Sequence, residues 1–202
     1  MLKHWLVDPI PEIALAAEHL DMAVTAHLNG DFAEAERRIR LADIPAISDW
    51  TEALWGRSHA LAKRSVRSSS SLPKHERVKA RKPRASEIRL LLDRDGFHCR
   101  FCGIPVIRSE IRKRLQSTYP NALRWGKKNP DKHAAFKALW MQYDHVVPHA
   151  QGGTNEVNNV IVACAPCNCA RMDCTLEEVG LTDPRMRGPV HSSWDGLERL
   201  IV

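Results

Sequence analysis

Apolar spacing changes along the chain and divides it into parts. Ile13, Ala17, Leu20, Val24 and Leu28, and then Phe32, Ala35, Ile39 and Ala42, recur every three or four residues. That is the period of a helix burying one face. Asn29-Gly30-Asp31 separates the two helices, and Asp31 with Glu34 forms a capping pattern for the second. Pro45 is expected to stop it. A third helix is expected from Ser48, with Trp50, Leu54, Trp55 and Leu61 as its apolar side. Across residues 64–85 large apolar residues nearly vanish, while a run of four serines and two prolines intervenes; such a stretch reads as a linker. Periodicity returns at Ile88, Leu91 and Leu92, in a short helix that Ser86 should cap, and Asp95-Gly96 turns the chain. Ser109 should cap another helix, and Asn129-Pro130-Asp131 should open one reaching Trp140. Residues 141–147 and 160–162 read as strands, joined through a turn at Gly152-Gly153, and a helix follows from Ala165. Residues 175–202 are expected to form two short helices, the last over 193–200.

The expected fold class is therefore α+β. Residues 1–63 form an all-α module, 64–85 a basic linker, and 86–202 a mixed domain with a basic insertion at 104–140. The stretch 12–45 resembles a single tetratricopeptide-type helical hairpin, with Gly30-Asp31-Phe32 at its turn and Pro45 at its end. One such repeat does not bury its own face. These helices are expected either to pack on the rest of the chain or to dock a protein partner or a second copy.

Charge sharpens this division. The chain of 202 residues carries a net +6. Residues 63–84 hold nine Lys/Arg and one acid, and residues 108–137 hold nine and two. Residues 1–62 hold five Lys/Arg against ten acids, and residues 138–202 four against eight. Two basic segments thus flank the first Cys-x-x-Cys pair in an otherwise acidic chain, which points to a nucleic-acid partner. The sequence contains no long apolar run and no signal-peptide core, so the expectation is a cytoplasmic protein without a membrane partner.

Four of the six cysteines form two Cys-x-x-Cys pairs, Cys99/Cys102 and Cys164/Cys167. Two such knuckles can surround one zinc ion with four thiolates, a closed and structural site. Cys169 and Cys174 are left over and read as free buried thiols. Between the pairs lies Asp144-His145. A carboxylate suits magnesium or manganese, and a neutral histidine can take a proton from water. Neighbours on a strand point to opposite faces, so both reach one centre only if the backbone bends; Pro148 would help to end regular pairing there.

Asp144-His145-Val-Val-Pro, Gly152-Gly153, Asn158-Asn159 and Cys164-x-x-Cys-Asn168 with Arg171, together with the upstream Cys99-x-x-Cys-Gly103, resemble the HNH endonuclease family and its ββα-metal fold over about residues 95–175. The resemblance implies DNA phosphodiester hydrolysis with His145 as general base. It implies one catalytic Mg²⁺ or Mn²⁺ on Asp144 and Asn168, and a structural Zn²⁺ on the four cysteines. Asn159 would steady the loop carrying the base, with Asn158 its competitor. Arg171 stands where such proteins often place a lysine and would touch the scissile phosphate. Met172 stands where some members carry a further metal-binding histidine, which favours magnesium-type chemistry. His149 reads as a loop residue. The insertion at 104–140, with Trp125, Trp140 and Tyr143 in or beside it, departs from the compact pattern and reads either as a helical insertion with core aromatics or as a DNA-binding wing. The alternative function is a non-catalytic, zinc-stapled nucleic-acid-binding module. A role as effector of a bacterial antiviral defence system is a further expectation.

Overall fold

The strand–strand–helix order is present in the computed structural model, which describes residues 8–63, 71–79 and 81–201. The first seven residues, most of the serine run and the side chain of Leu61 lie outside the described residues. Strand β1 (Met141–His145) pairs antiparallel with β2 (Val160–Cys164), in a register from Met141 opposite Cys164 to His145 opposite Val160. All five residues of β2 are buried, because helices cover it. The chain turns from Cys164 straight into a helix at Ala165–Arg171, with Pro166 in its first turn. Proline fits there because the first amides of a helix have no intrahelical partner.

Among the described residues six α-helices precede β1: α1 (Pro11–Leu28), α2 (Phe32–Leu41), α3 (Pro45–Lys63), α4 (Ala85–Asp95), α5 (Ser109–Thr118) and a short α6 (Ala134–Ala138); the helix after β2 is α7. Asp31 caps α2 as its spacing with Glu34 suggested, its carboxylate accepting from the Glu34 amide at 3.0 Å. Pro45 opens α3 rather than ending the helix before it, the same first-turn preference seen at Pro166. Ser86 and Ser109 are not caps: they lie inside the first turns of α4 and α5. At α4 the Glu87 carboxylate accepts from the Arg84 amide at 2.6 Å and does the capping instead. Leu28 and Phe32, placed on apolar faces by their spacing, are exposed at the turn between α1 and α2.

The helical module packs on the rest of the chain. Helix α1 lies against α2, and α3 against α6 and α7. Lys137 is 0% exposed beneath α3. Its ammonium donates to Glu52 at 2.8 Å and Ser48 at 3.1 Å, and sits 5.1 Å from the centre of the Trp55 ring. The Ile39 carbonyl lies 2.8 Å from His133 Nε2, and Asp43 accepts from the Ala134 amide at 2.7 Å. One continuous apolar core thus runs from Ile13 on α1 through Phe136 to Ala170 on α7.

The insertion between knuckle and β1 closes on itself. Ile107 bridges Trp140, its amide donating to Leu139 at 2.7 Å and its carbonyl accepting from Met141 at 2.9 Å. Asn129–Asp131 makes only a 3-10 turn, and the helix expected to reach Trp140 is confined to α6. Trp125 stacks edge-on against Trp140, and the Arg112 guanidinium lies 4.1 Å above its ring. The aromatics therefore pack within the insertion. The carboxy-terminal segment contributes 3-10 turns at Pro184–Met186 and Glu198–Leu200, not the two helices expected. No described helix is long and apolar enough to cross a membrane.

Candidate metal and catalytic sites

The two knuckles converge. Backbone bonds shape the first: the Gly103 amide donates to Cys99 at 2.8 Å and the Cys99 amide to Ile104 at 2.9 Å. It is fastened to β2 by the Arg100 amide on Val162, and Asp95, buried at the end of α4, accepts from the Val162 amide. The second knuckle is the corner between β2 and α7. The four sulfurs lie within 4.8 Å of one another, and Cys102 Sγ is 3.7 Å from Cys164 Sγ. Zinc–sulfur bonds of about 2.3 Å in a tetrahedron place sulfurs about 3.8 Å apart. None of the four is in a disulfide. Four buried thiolates this close would repel one another, so they coexist only around a cation. The cluster fits zinc. Cys169, by contrast, is exposed rather than buried, and Cys174 is half-buried; both are free.

Asp144 and His145 end β1. Asp144 is 6% exposed and Arg171, on α7, 1%. They form a two-point pair, Arg171 Nε to Oδ2 at 3.0 Å and Nη2 to Oδ1 at 2.7 Å. Burial pushes the Asp144 carboxyl up, and Arg171 opposes it. The guanidinium also donates to the carbonyls of His145, Val146 (3.4 Å) and Cys174 (2.9 Å). Arg171 is thus placed inside the fold, clamping the end of β1. The sequence held no signal for this pair, because its partners lie 27 residues apart.

Beyond His145 the chain leaves the strand in a loop. The two asparagines part company there. Asn158 is exposed. Asn159 is buried; its Oδ1 accepts from the Val147 amide at 2.9 Å, and its Nδ2 donates to the carbonyls of Val147 (3.1 Å) and Thr154 (2.9 Å). It therefore fastens both sides of the loop. Gly152 adopts φ +87°, and a Cβ on Gly153 would stand 1.7 Å from the Val147 carbonyl oxygen. The glycine pair is thus what lets the loop close onto Val147.

His145 is half-buried. Its Nε2 lies 3.2 Å from Asn155 Oδ1, and its ring centre lies 4.1 Å from that of His149. Burial and the neighbouring His149 lower its pKa. Both nitrogens of His149 are buried without a hydrogen-bond partner, so the residue belongs to the site's wall and not to a free loop. Asn168 is partly exposed on α7, one turn before Arg171. Its side chain makes no hydrogen bond to a described residue. Asn155 is the site residue that sequence reasoning passed over, and His149 is the one it read as a loop residue. The only hint of Asn155 was its place between the glycine pair and Asn158-Asn159.

No curated protein and no solved structure gives a match. Residues 133–173 match the model of the HNH endonuclease family. The matched span holds β1, the loop, β2, α7 and the second cysteine pair, while Cys99 and Cys102 lie outside it. The matched segment carries Asp144, His145 and Asn159, and what it is similar to is the HNH endonuclease family.

Proposed function

We propose that the protein is a metal-dependent endonuclease that hydrolyses DNA phosphodiester bonds, with His145 as general base. The observation that carries this reading is a half-buried histidine with a lowered pKa, standing at the end of β1 on a loop that Asn159 fastens on both sides. A histidine that stays neutral at physiological pH can accept a proton from water. Asn159 is the bracing residue.

Asp144 and Asn168 would hold one Mg²⁺ or Mn²⁺. The donor set fits: a carboxylate and a side-chain amide oxygen are hard ligands, and two protein ligands leave positions for water and phosphate. Asn168 has no competing hydrogen bond. Each carboxylate oxygen of Asp144 retains lone-pair capacity beyond the bond to Arg171. The cation would neutralise charge on the phosphate and on the leaving oxygen. In this reading Arg171 does not contact the scissile phosphate; it keeps Asp144 ionised and in place. DNA approach would be favoured by Lys74, Lys79 and Lys82 before the domain, and by Lys113, Lys127 and Lys128 on the insertion, all of them exposed.

The test is plasmid DNA incubated with zinc-loaded protein in Mg²⁺, in Mn²⁺, and without added divalent cation. Cutting that requires the added cation is expected. DNA binding without cutting under all conditions would favour the zinc-stapled binding module.

A further inference from the structure

Segment 71–79 lies across the loop that follows His145. The Leu72 amide donates to the Ala150 carbonyl at 2.8 Å, and the Arg77 guanidinium donates back to Leu72 at 2.8 Å. At its far end the Lys79 carbonyl accepts from Asn155 Nδ2 at 3.0 Å. Asn155 therefore stands between this segment and the imidazole of His145.

The direction of the Asn155 amide follows from the chemistry of its partners. A backbone carbonyl only accepts, so the group facing Lys79 O must be the amide nitrogen. That leaves Oδ1 facing His145 Nε2 at 3.2 Å. An amide oxygen also only accepts, so Nε2 must carry the hydrogen. The neutral ring then has its lone pair on Nδ1. Turning the amide over would set oxygen against oxygen at Lys79, so the Lys79 carbonyl is the contact that decides the amide's direction and, through it, the tautomer. Among the described residues His145 Nδ1 has no hydrogen-bond partner, so the nitrogen with the lone pair is the one left open.

We propose that Asn155 is a positioning residue that fixes His145 in the Nε2–H tautomer, with Nδ1 as the proton acceptor, and that the Lys79 carbonyl fixes Asn155 in turn. The tautomer stands on hydrogen bonding alone; its catalytic consequence rests on the reading of His145 as the base. A histidine presenting a hydrogen instead of a lone pair to water does not act as a base. The basic segment before the domain is thereby mechanically tied to the catalytic ring.

The experiment uses the full zinc-loaded chain, labelled with ¹⁵N-histidine, without added magnesium or manganese. Long-range proton–nitrogen correlation reads which ring nitrogen is protonated, and the His145 signals are assigned by their loss in His145→Gln. The wild type is expected to show Nε2 protonated and Nδ1 bare. Asn155→Ala is expected to show exchange between tautomers with other histidine signals unchanged. If the proposed nuclease activity is present, Asn155→Ala lowers kcat by about 10- to 100-fold, as loss of orientation does, with little change in KM. A wild-type ring protonated on Nδ1, or an Asn155→Ala spectrum identical to wild type, overturns the proposal. An inactive wild type with the expected tautomer overturns the nuclease reading and leaves the positioning intact.

Discussion

Replacing Arg171 by methionine isolates the buried pair at the end of β1. The substitution keeps most of the apolar stem and removes the charge that faces Asp144 through two hydrogen bonds. Asp144, only 6% exposed, is then left without its counter-charge. It escapes by taking up a proton, and that sets a ceiling. From an ordinary carboxyl value of 3.8, remaining neutral at pH 7 costs about 4 kcal/mol at 1.36 kcal/mol per unit. Removing one partner of a buried pair costs about 3–5 kcal/mol in general, so the two estimates agree. The double variant Asp144→Leu/Arg171→Met removes the stranded carboxyl and is expected to recover about 2 kcal/mol or more. The carbonyls of His145, Val146 and Cys174 still lose their donor, so recovery stays incomplete. Urea unfolding at pH 7, followed by tryptophan fluorescence at fixed saturating zinc, reads both differences. A single variant costing under about 1 kcal/mol, or a double variant as unstable as the single, would refute the reasoning.

Chelation of zinc, or Cys164→Ser, is expected to abolish the cooperative unfolding of the β1–β2–α7 region, which circular dichroism and fluorescence follow; an unchanged transition would show that the cysteine cluster is not a metal staple. His133 is fully buried against α2, and burial lowers its pKa to about 4 from an ordinary 6.5. It folds neutral, so stability is whole above pH 6.5 and is lost as pH falls towards 4, by about 3 kcal/mol at 1.36 kcal/mol per unit. His133→Gln should flatten that part of the pH–stability curve, and a curve of wild-type shape would count against it. Gly153→Ala forces a Cβ to 1.7 Å from the Val147 oxygen; it should displace the loop and lower any cleavage rate by 10-fold or more, about the effect of an ångström-scale misplacement, while zinc content stays the same.

Much of the site was legible because its chemistry is local. A Cys-x-x-Cys pair makes a knuckle wherever it sits, and Asp144-His145 ahead of a proline and two glycines marks a strand end and a tight loop. The choice between Asn158 and Asn159 was not legible, because neighbours differ only in which one the backbone turns inward; at Asn159 it points back to Val147. Arg171 was read as a phosphate contact because it stands where the resembled family often places a lysine. Its burial follows from α7 packing against β1, a tertiary fact with no sequence period. The same holds for Lys137, a basic residue of the insertion that ends beneath α3. Pro45 misled in the opposite way: proline suits the first turn of a helix as well as its end, and only packing decides. The expected helices after residue 175 failed because this segment is held by long-range pairs. Arg100 donates to the Arg187 carbonyl at 2.5 Å, Arg108 pairs with Glu198, and Arg199 reaches Asp21 at 2.7 Å.

In the proposed reaction His145 removes the proton from the attacking water at a site whose cation would rest on Asp144 and Asn168. Single-turnover cleavage of a labelled DNA duplex by zinc-loaded protein, across a range of Mg²⁺ concentrations, tests it most directly. His145→Ala is expected to slow cleavage by about 10²- to 10⁴-fold, the contribution of a general base, at an unchanged Mg²⁺ midpoint, whereas Asn168→Ala is expected to raise that midpoint. Cleavage by His145→Ala within a few-fold of wild type would contradict it.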